Sequence, residues 1–234
     1  MNDPIFERLS LLTGDEGLEK LSGTSALVFG AGGVGGWAAE ALVRCGVGKI
    51  GLIDNDIVRA SNVNRQTQAT TLTIGQPKAS ALQKRLLDIN PGCAITVYDE
   101  FFHIENLGIF GIENADYVID AIDTLNDKLD LIQTAHDARV TIFSSMGMAL
   151  KMDPLRIKTA SIWKTDICPL ARLVRQGLRK RDFSGDFTVV YSDEPPISRA
   201  SSGREKVNGS VVTVTGTAGL LLASLVIQDV LKRD

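Results

Sequence analysis

The stretch "SALVFGAGGVGGWAAEALVRCGVGKIGLIDND", residues 25–56, decides the fold. It opens on a short apolar run, "SALVFG" (25–30), and breaks at a glycine cluster. An alanine-rich block then leads into a second apolar run, "KIGLID" (49–54). Gly30, Gly32 and Gly35 form G-x-G-x-x-G between a strand and a helix, the form in which backbone lies against phosphate. Free N–H groups of the helix's first turn bind the anion, and the missing side chains allow close approach. Asp54 ends the second run nineteen residues after Gly35, where a carboxylate accepts hydrogen bonds from ribose hydroxyls. These four residues are expected to hold a nucleotide.

Further runs extend the pattern outward. "AITVY" (94–98), "YVIDAI" (117–122) and "VTIFSS" (140–145) are mostly continuously apolar, as in strands covered on both faces of a parallel sheet. Residues 34–45 place Val34, Ala38, Ala41, Leu42 and Cys45 on one helical face. A second helix over 76–89 has Pro77 in its first turn and stops at Pro91 and Gly92, and a third spans 126–138. Strands alternating with helices predict an α/β fold, a doubly wound, Rossmann-like and mostly parallel sheet.

After Ser145 the rhythm changes. "RIKTASI" and "FTVVYS" read as strands, 169–181 as a helix, and 215–232 as a helix apolar nearly all round over its first half. Such a helix belongs in a core or a subunit interface. The segment 192–210 is rich in Pro, Ser and Gly and reads as a long mobile loop. The expected division is residues 1–150 as the nucleotide-binding part. Residues 151–234 form a smaller strand/helix extension that completes the sheet and supplies the substrate surface and dimer interface.

With 234 residues and 44% hydrophobic content, the chain can bury one substantial core. Its net charge of −3 excludes a protein that binds nucleic acid over its whole surface. From Lys151 to Arg181, however, nine Lys/Arg face two Asp/Glu, a local +7 that leaves −10 on the rest. An anionic partner at one place is implied. Arg172, Arg175 and Arg179, at i, i+3 and i+7, form one cationic stripe, with Leu170, Val174 and Leu178 on another face. Arg156, Lys158 and Lys164 add charge nearby.

The N-terminus lacks a basic region followed by an apolar block. The most apolar stretch, Ala218–Ile227, is ten residues long, short of the ~20 that a membrane helix needs. Three cysteines without C-x-x-C spacing exclude a disulfide framework and a structural zinc site. A soluble cytoplasmic protein without a membrane span is expected.

The glycine turn alone does not separate NAD from ATP. There is no G-K-[ST] of a P-loop, and neither His103 nor His136 stands in a setting that suggests hydride chemistry. After Asp54 come Arg65, Lys78 in "GQPKAS", and Asp120 and Asp123 in "DAIDT". Cations with a carboxylate at a strand's C-terminal end suit a polyphosphate with Mg²⁺, so ATP is the expected ligand. Taken singly, Lys78 reads as a solvated helix residue, Asp120 as a strand-end cap and Asp123 as the cap of the following helix.

Together, "GAGGVGG", "LIDNDIV", "SNVNRQ", "GQPK" and "DAIDT" resemble the ubiquitin-activating-enzyme-like superfamily, whose members adenylate carboxylates with ATP. "NVNRQ", the opening "FERLSLLTGDEGLEKL", "INP", "VVYSDE" and "VNGS" are similar to its tRNA threonylcarbamoyladenosine dehydratase branch. The resemblance implies that Asn62 and Arg65 hold the triphosphate and that Asn64 shapes the site near the reacting phosphate. Lys78 neutralises the α- and β-phosphates, and Asp123 holds Mg²⁺. Arg8 is donated into the neighbouring subunit of a homodimer. Ile5 stands where relatives often carry a further arginine, and Lys128 where related activators have arginine.

The implied reaction is ATP-dependent dehydration of threonylcarbamoyladenosine in tRNA through an acyl-adenylate, a ligase-type chemistry. The arginine stripe would track tRNA phosphates. The alternative is an adenylyltransferase that activates the C-terminus of a sulfur-carrier or ubiquitin-like protein, with a sulfur-transfer or carrier protein as partner. Cys168, ahead of the helix at 169, is the residue a thioester route would use, but an intramolecular cyclisation needs none.

Overall fold

Continuous apolar runs become central strands because both of their faces are covered. In the computed structural model, which describes residues 4–197 and 208–232, the strands are β1 (Ser25–Phe29), β2 (Lys49–Ile53), β3 (Ala94–Tyr98), β4 (Tyr117–Asp120), β5 (Thr141–Ser145), β6 (Ile157–Ser161) and β7 (Thr188–Ser192). They form one seven-stranded sheet in the order β3-β2-β1-β4-β5-β7-β6. Every pairing is parallel except that of β6 with β7. The doubly wound expectation holds, and β6 and β7 extend the same sheet. Most of the loop read over 192–210, residues 198–207, lies outside the described residues.

The helices are α1 (Glu7–Gly23), α2 (Gly35–Arg44), α3 (Lys78–Ile89), α4 (Leu125–Asp137), α5 (Pro169–Lys180) and α6 (Val212–Lys232). One apolar core lies between the sheet and α1, α2, α3 and α6; a second lies between the sheet and α4 and α5. The expected face of α2 is too narrow. Ala39 and Val43 are also buried, and α6 packs closely on the side of α2 that carries Val34, Trp37 and Ala38. Gly219 makes this close approach possible: a Cβ there would lie 2.4 Å from the Val34 carbonyl oxygen.

Two features depart from the sequence reading. The helix α1 had no clear periodic signature, and Gly14, at φ +69°, breaks its helical path. In addition, the ten apolar residues noted near the C-terminus belong to a 21-residue helix that contains an 18-residue window of mean hydropathy 1.6. By length and composition alone α6 could cross a membrane, but half of that window is buried in the fold.

Because β1 lies between β2 and β4, the chain winds outward in opposite directions on either side of the β1–β4 junction. The connections leaving these two strands part there, opening a crevice at their C-terminal ends, the usual ligand position in open α/β sheets.

Candidate nucleotide-binding active site

The glycine turn fills the crevice floor. Gly30 sits at φ +93°, where an added Cβ would press 2.8 Å from the Ala121 carbonyl oxygen. Gly35 packs directly on Gly30, since its Cβ would fall 1.9 Å from the Gly30 oxygen. Gly32 differs: the nearest atom to a Cβ there is Gln66 Nε2 at 3.9 Å, so its missing side chain leaves open space. The amides of Gly32, Gly33 and Val34 have no hydrogen-bond partner among the described residues. Three adjacent donors at the start of α2 make a seat for an anion.

Ala31 is gripped from both sides. Asp54 Oδ2 accepts its amide at 2.8 Å, and Gln68 Nε2 donates to its carbonyl at 2.6 Å. Asp54 Oδ1 also accepts from the Asp56 amide at 2.8 Å. Burial raises the Asp54 carboxyl above its usual range, against the opposing pull of Lys78 and of the two amides. Asp54 therefore fixes the turn as well as facing the crevice, and each oxygen retains a lone pair for a ribose hydroxyl.

Lys78, read singly as a solvated helix residue, is buried at the first position of α3. Its Nζ lies 2.8 Å from Asp56 Oδ2. Arg65 lies across the turn, with its Cγ 3.2 Å from where a Gly33 Cβ would be. Its Nη1 donates to Ser61 O at 2.7 Å and to Asn64 Oδ1 at 3.0 Å, and its own carbonyl accepts from Trp37 Nε1 at 3.0 Å. No carboxylate pairs with Arg65 among the described residues.

Asn64 also donates to Ser210 O at 2.8 Å, bracing the Arg65 loop against the approach to α6. Asn62 is buried, and its Oδ1 accepts the Arg59 amide at 2.9 Å to close a turn. Both asparagines thus shape the loop that presents Arg65.

The two carboxylates of "DAIDT" part company. Asp120 is fully enclosed, with its Oδ2 2.7 Å from Lys128 Nζ and 2.5 Å from Ser144 Oγ. It lies beneath the site and offers no surface to a nucleotide, which corrects its reading as a ligand contact. Asp123 is exposed on the loop between β4 and α4 and has no hydrogen bond or ion pair among the described residues. The cap position of α4 belongs to Thr124, so the capping role considered for Asp123 falls away. An uncommitted carboxylate beside a phosphate seat fits a Mg²⁺–nucleotide.

The model described as the ThiF family matches residues 6–233. The chain belongs to the ThiF family. It is 40% identical over 240 residues to the Bacillus subtilis tRNA threonylcarbamoyladenosine dehydratase, covering 97% of this chain and 94% of that one. Two crystal structures of the E. coli tRNA N6-threonylcarbamoyladenosine dehydratase TcdA superpose closely. The AMP complex has a TM-score of 0.90 at 32% identity, covering 97% of this chain and 94% of that one. The ATP complex has a TM-score of 0.89 at 33% identity, covering 97% and 93%.

Other residues of this ThiF-family chain lie away from the turn. Arg8 is exposed near the start of α1. Its neighbour Phe6 would stand 3.5 Å from a Cβ on Gly46, beyond the C-terminal end of α2. The glycine turn is at the other end of that helix, about 15 Å away at 1.5 Å per residue, so Arg8 does not serve its own chain's seat.

On α5, Val174 and Leu178 are buried and Arg172 is exposed. Arg175 donates to Thr165 Oγ1, and the Arg179 guanidinium lies over the Trp163 ring, 5.5 Å from its centroid. Arg156 and Lys158 both pair with Asp193, which diminishes their contribution to a free cationic surface. Cys168 is 1% exposed at the cap of α5, sealed from a substrate.

Sequence reasoning missed Trp37, Gln68, Asp56 and Ser144. Gln68 ends the polar run "SNVNRQTQ", whose density of amide side chains was the available signal. The others act through contacts that no local pattern displays.

Proposed function

We propose that the chain uses ATP to dehydrate N6-threonylcarbamoyladenosine in tRNA, through an acyl-adenylate. The observation that carries this reading is the row of amides at Gly32, Gly33 and Val34 without partners among the described residues, beside an Arg65 that no described carboxylate neutralises. It is an anion seat in a chain that resembles, end to end, a dehydratase crystallised with ATP. The modification's carboxylate oxygen attacks the α-phosphorus, and the bond to pyrophosphate breaks. The carbamoyl group of the same modification then attacks the acyl carbon, the bond to AMP breaks, and the ring closes with net loss of water.

The turn amides, Arg65 and Lys78 stabilise the charge that gathers on the phosphates during the first step. Asp54 orients the ribose. Asp123 would hold Mg²⁺, which would add to the neutralisation of charge on the phosphates. No protein nucleophile is required, in agreement with the sealed Cys168.

The protein works as a homodimer, with Arg8 of the partner subunit entering this site. Arg8, Leu11 and Leu12 share one face of α1, and Leu11 and Leu12 are 75% and 86% exposed, an apolar face for a second copy to cover. Arg172, Arg175 and Arg179 engage tRNA phosphates. Three unbridged cysteines and a tRNA substrate suit the reducing cytoplasm.

The deciding experiment incubates the protein with ATP, Mg²⁺ and tRNA bearing threonylcarbamoyladenosine, then digests the tRNA for mass spectrometry. Loss of one water from the modified nucleoside is expected. Unchanged tRNA, with AMP accumulating in the presence of a Gly-Gly-ended carrier protein, would replace this reading with carrier activation.

A further inference from the structure

The enclosed Asp120–Lys128 pair has no part in the chemistry above, yet it is tied to the loop that does. Both side chains have 0% exposure. Lys128 Nζ also donates to Ser145 O at 3.0 Å, and Ser144 Oγ donates to Asp120 Oδ2, so one cluster locks the ends of β4 and β5 to the first turns of α4. Burying an ion pair costs desolvation, and apolar side chains of similar size would hold these elements together at least as well. A positional role explains the charges better than stability does.

That role can be read from the backbone around Asp123. Asp120 Oδ1 accepts the Ile122 amide at 3.1 Å. The Lys128 amide donates to Thr124 O at 3.1 Å, and the Ala121 amide donates to Phe29 O at 2.9 Å. Residues on both sides of Asp123 are thereby fixed, while its own carboxylate stays free and exposed. We infer that Lys128 is a positioning residue: acting through Asp120, it sets where the Asp123 carboxylate meets the nucleotide-bound Mg²⁺. The inference rests on the proposed MgATP reading of the site.

The test measures binding of unmodified radiolabelled ATP to the 234-residue chain by equilibrium dialysis, without Mg²⁺ and over a series of Mg²⁺ concentrations. Lys128→Met should raise the Mg²⁺ concentration needed for half-maximal binding by about tenfold, while metal-free nucleotide affinity changes by less than about twofold. Asp123→Asn should behave alike, and the double variant should be no worse than Asp123→Asn alone, since both act on one contact. Where Lys128→Met does not fold, Ser144→Ala removes one donor to Asp120 without stranding a charge, and a shift of about threefold is expected. A folded Lys128→Met or Ser144→Ala with wild-type Mg²⁺ dependence overturns the inference, as does additivity with Asp123→Asn. If Mg²⁺ does not tighten nucleotide binding by the wild type, the metal reading itself fails and takes the inference with it.

Discussion

The crevice at β1 and β4 and the outer face of α5 both gather positive charge, by opposite means. At the crevice, Lys78 is 7% and Asp54 8% exposed, and each has a partner before any ligand arrives. On α5, Arg172 stands in water, while Arg175 and Arg179 lean on Thr165 and Trp163. The first region is a shaped seat whose action depends on distances of a few tenths of an ångström. The second is a charged surface, and a tRNA contact there would depend on charge and ionic strength. Geometry should fail abruptly in one, and electrostatics gradually in the other.

The sharpest break is Gly35→Ala, whose new methyl would overlap the Gly30 carbonyl. We expect a loss of about 3 kcal/mol in urea unfolding together with lost ATP binding. Arg65→Ala should lower turnover by about 10²–10³ with the unfolding midpoint nearly unchanged. Single-turnover assays on modified tRNA with saturating ATP would show it, and a tenfold smaller effect would move Arg65 out of the phosphate seat.

Changes on α5 should be milder. Arg172→Ala should weaken tRNA binding severalfold and reduce the slope of log affinity against log salt by about 1, leaving ATP binding intact. An unchanged salt slope would remove Arg172 from the tRNA surface.

The smallest expected effect is a pH dependence at Asp54. Its carboxyl is raised in the folded protein, so the fold holds that proton more tightly than the unfolded chain does. The resulting stabilisation is fully present below about pH 4 and is lost as pH rises through the elevated value. Asp54→Asn should flatten this decline in urea midpoints measured across that window. A decline of equal steepness in the variant would assign it to other groups.

Legibility in the sequence followed the same divide. The glycine turn and the alternating elements were readable because strand–turn–helix geometry is local and its residue demands are strict. Asp120 and Asp123 stand three residues apart, and no local rule tells which faces inward. That was decided by Lys128, on the next helix, and by Ser144, on the neighbouring strand. The helix α1 went unread because its interruption at Gly14 spoils the periodicity. Taken singly, Lys78 reads as solvated because its partner, Asp56, lies twenty-two residues earlier.

The close approach of Gly219 to Val34, with Thr215 beside Gly33, carries a consequence for biosynthesis. The back wall of the phosphate turn is made by α6, which leaves the ribosome long after the turn itself. A nascent chain carrying the whole glycine motif still lacks the support that shapes it, so competence for catalysis arrives only when translation has passed that helix.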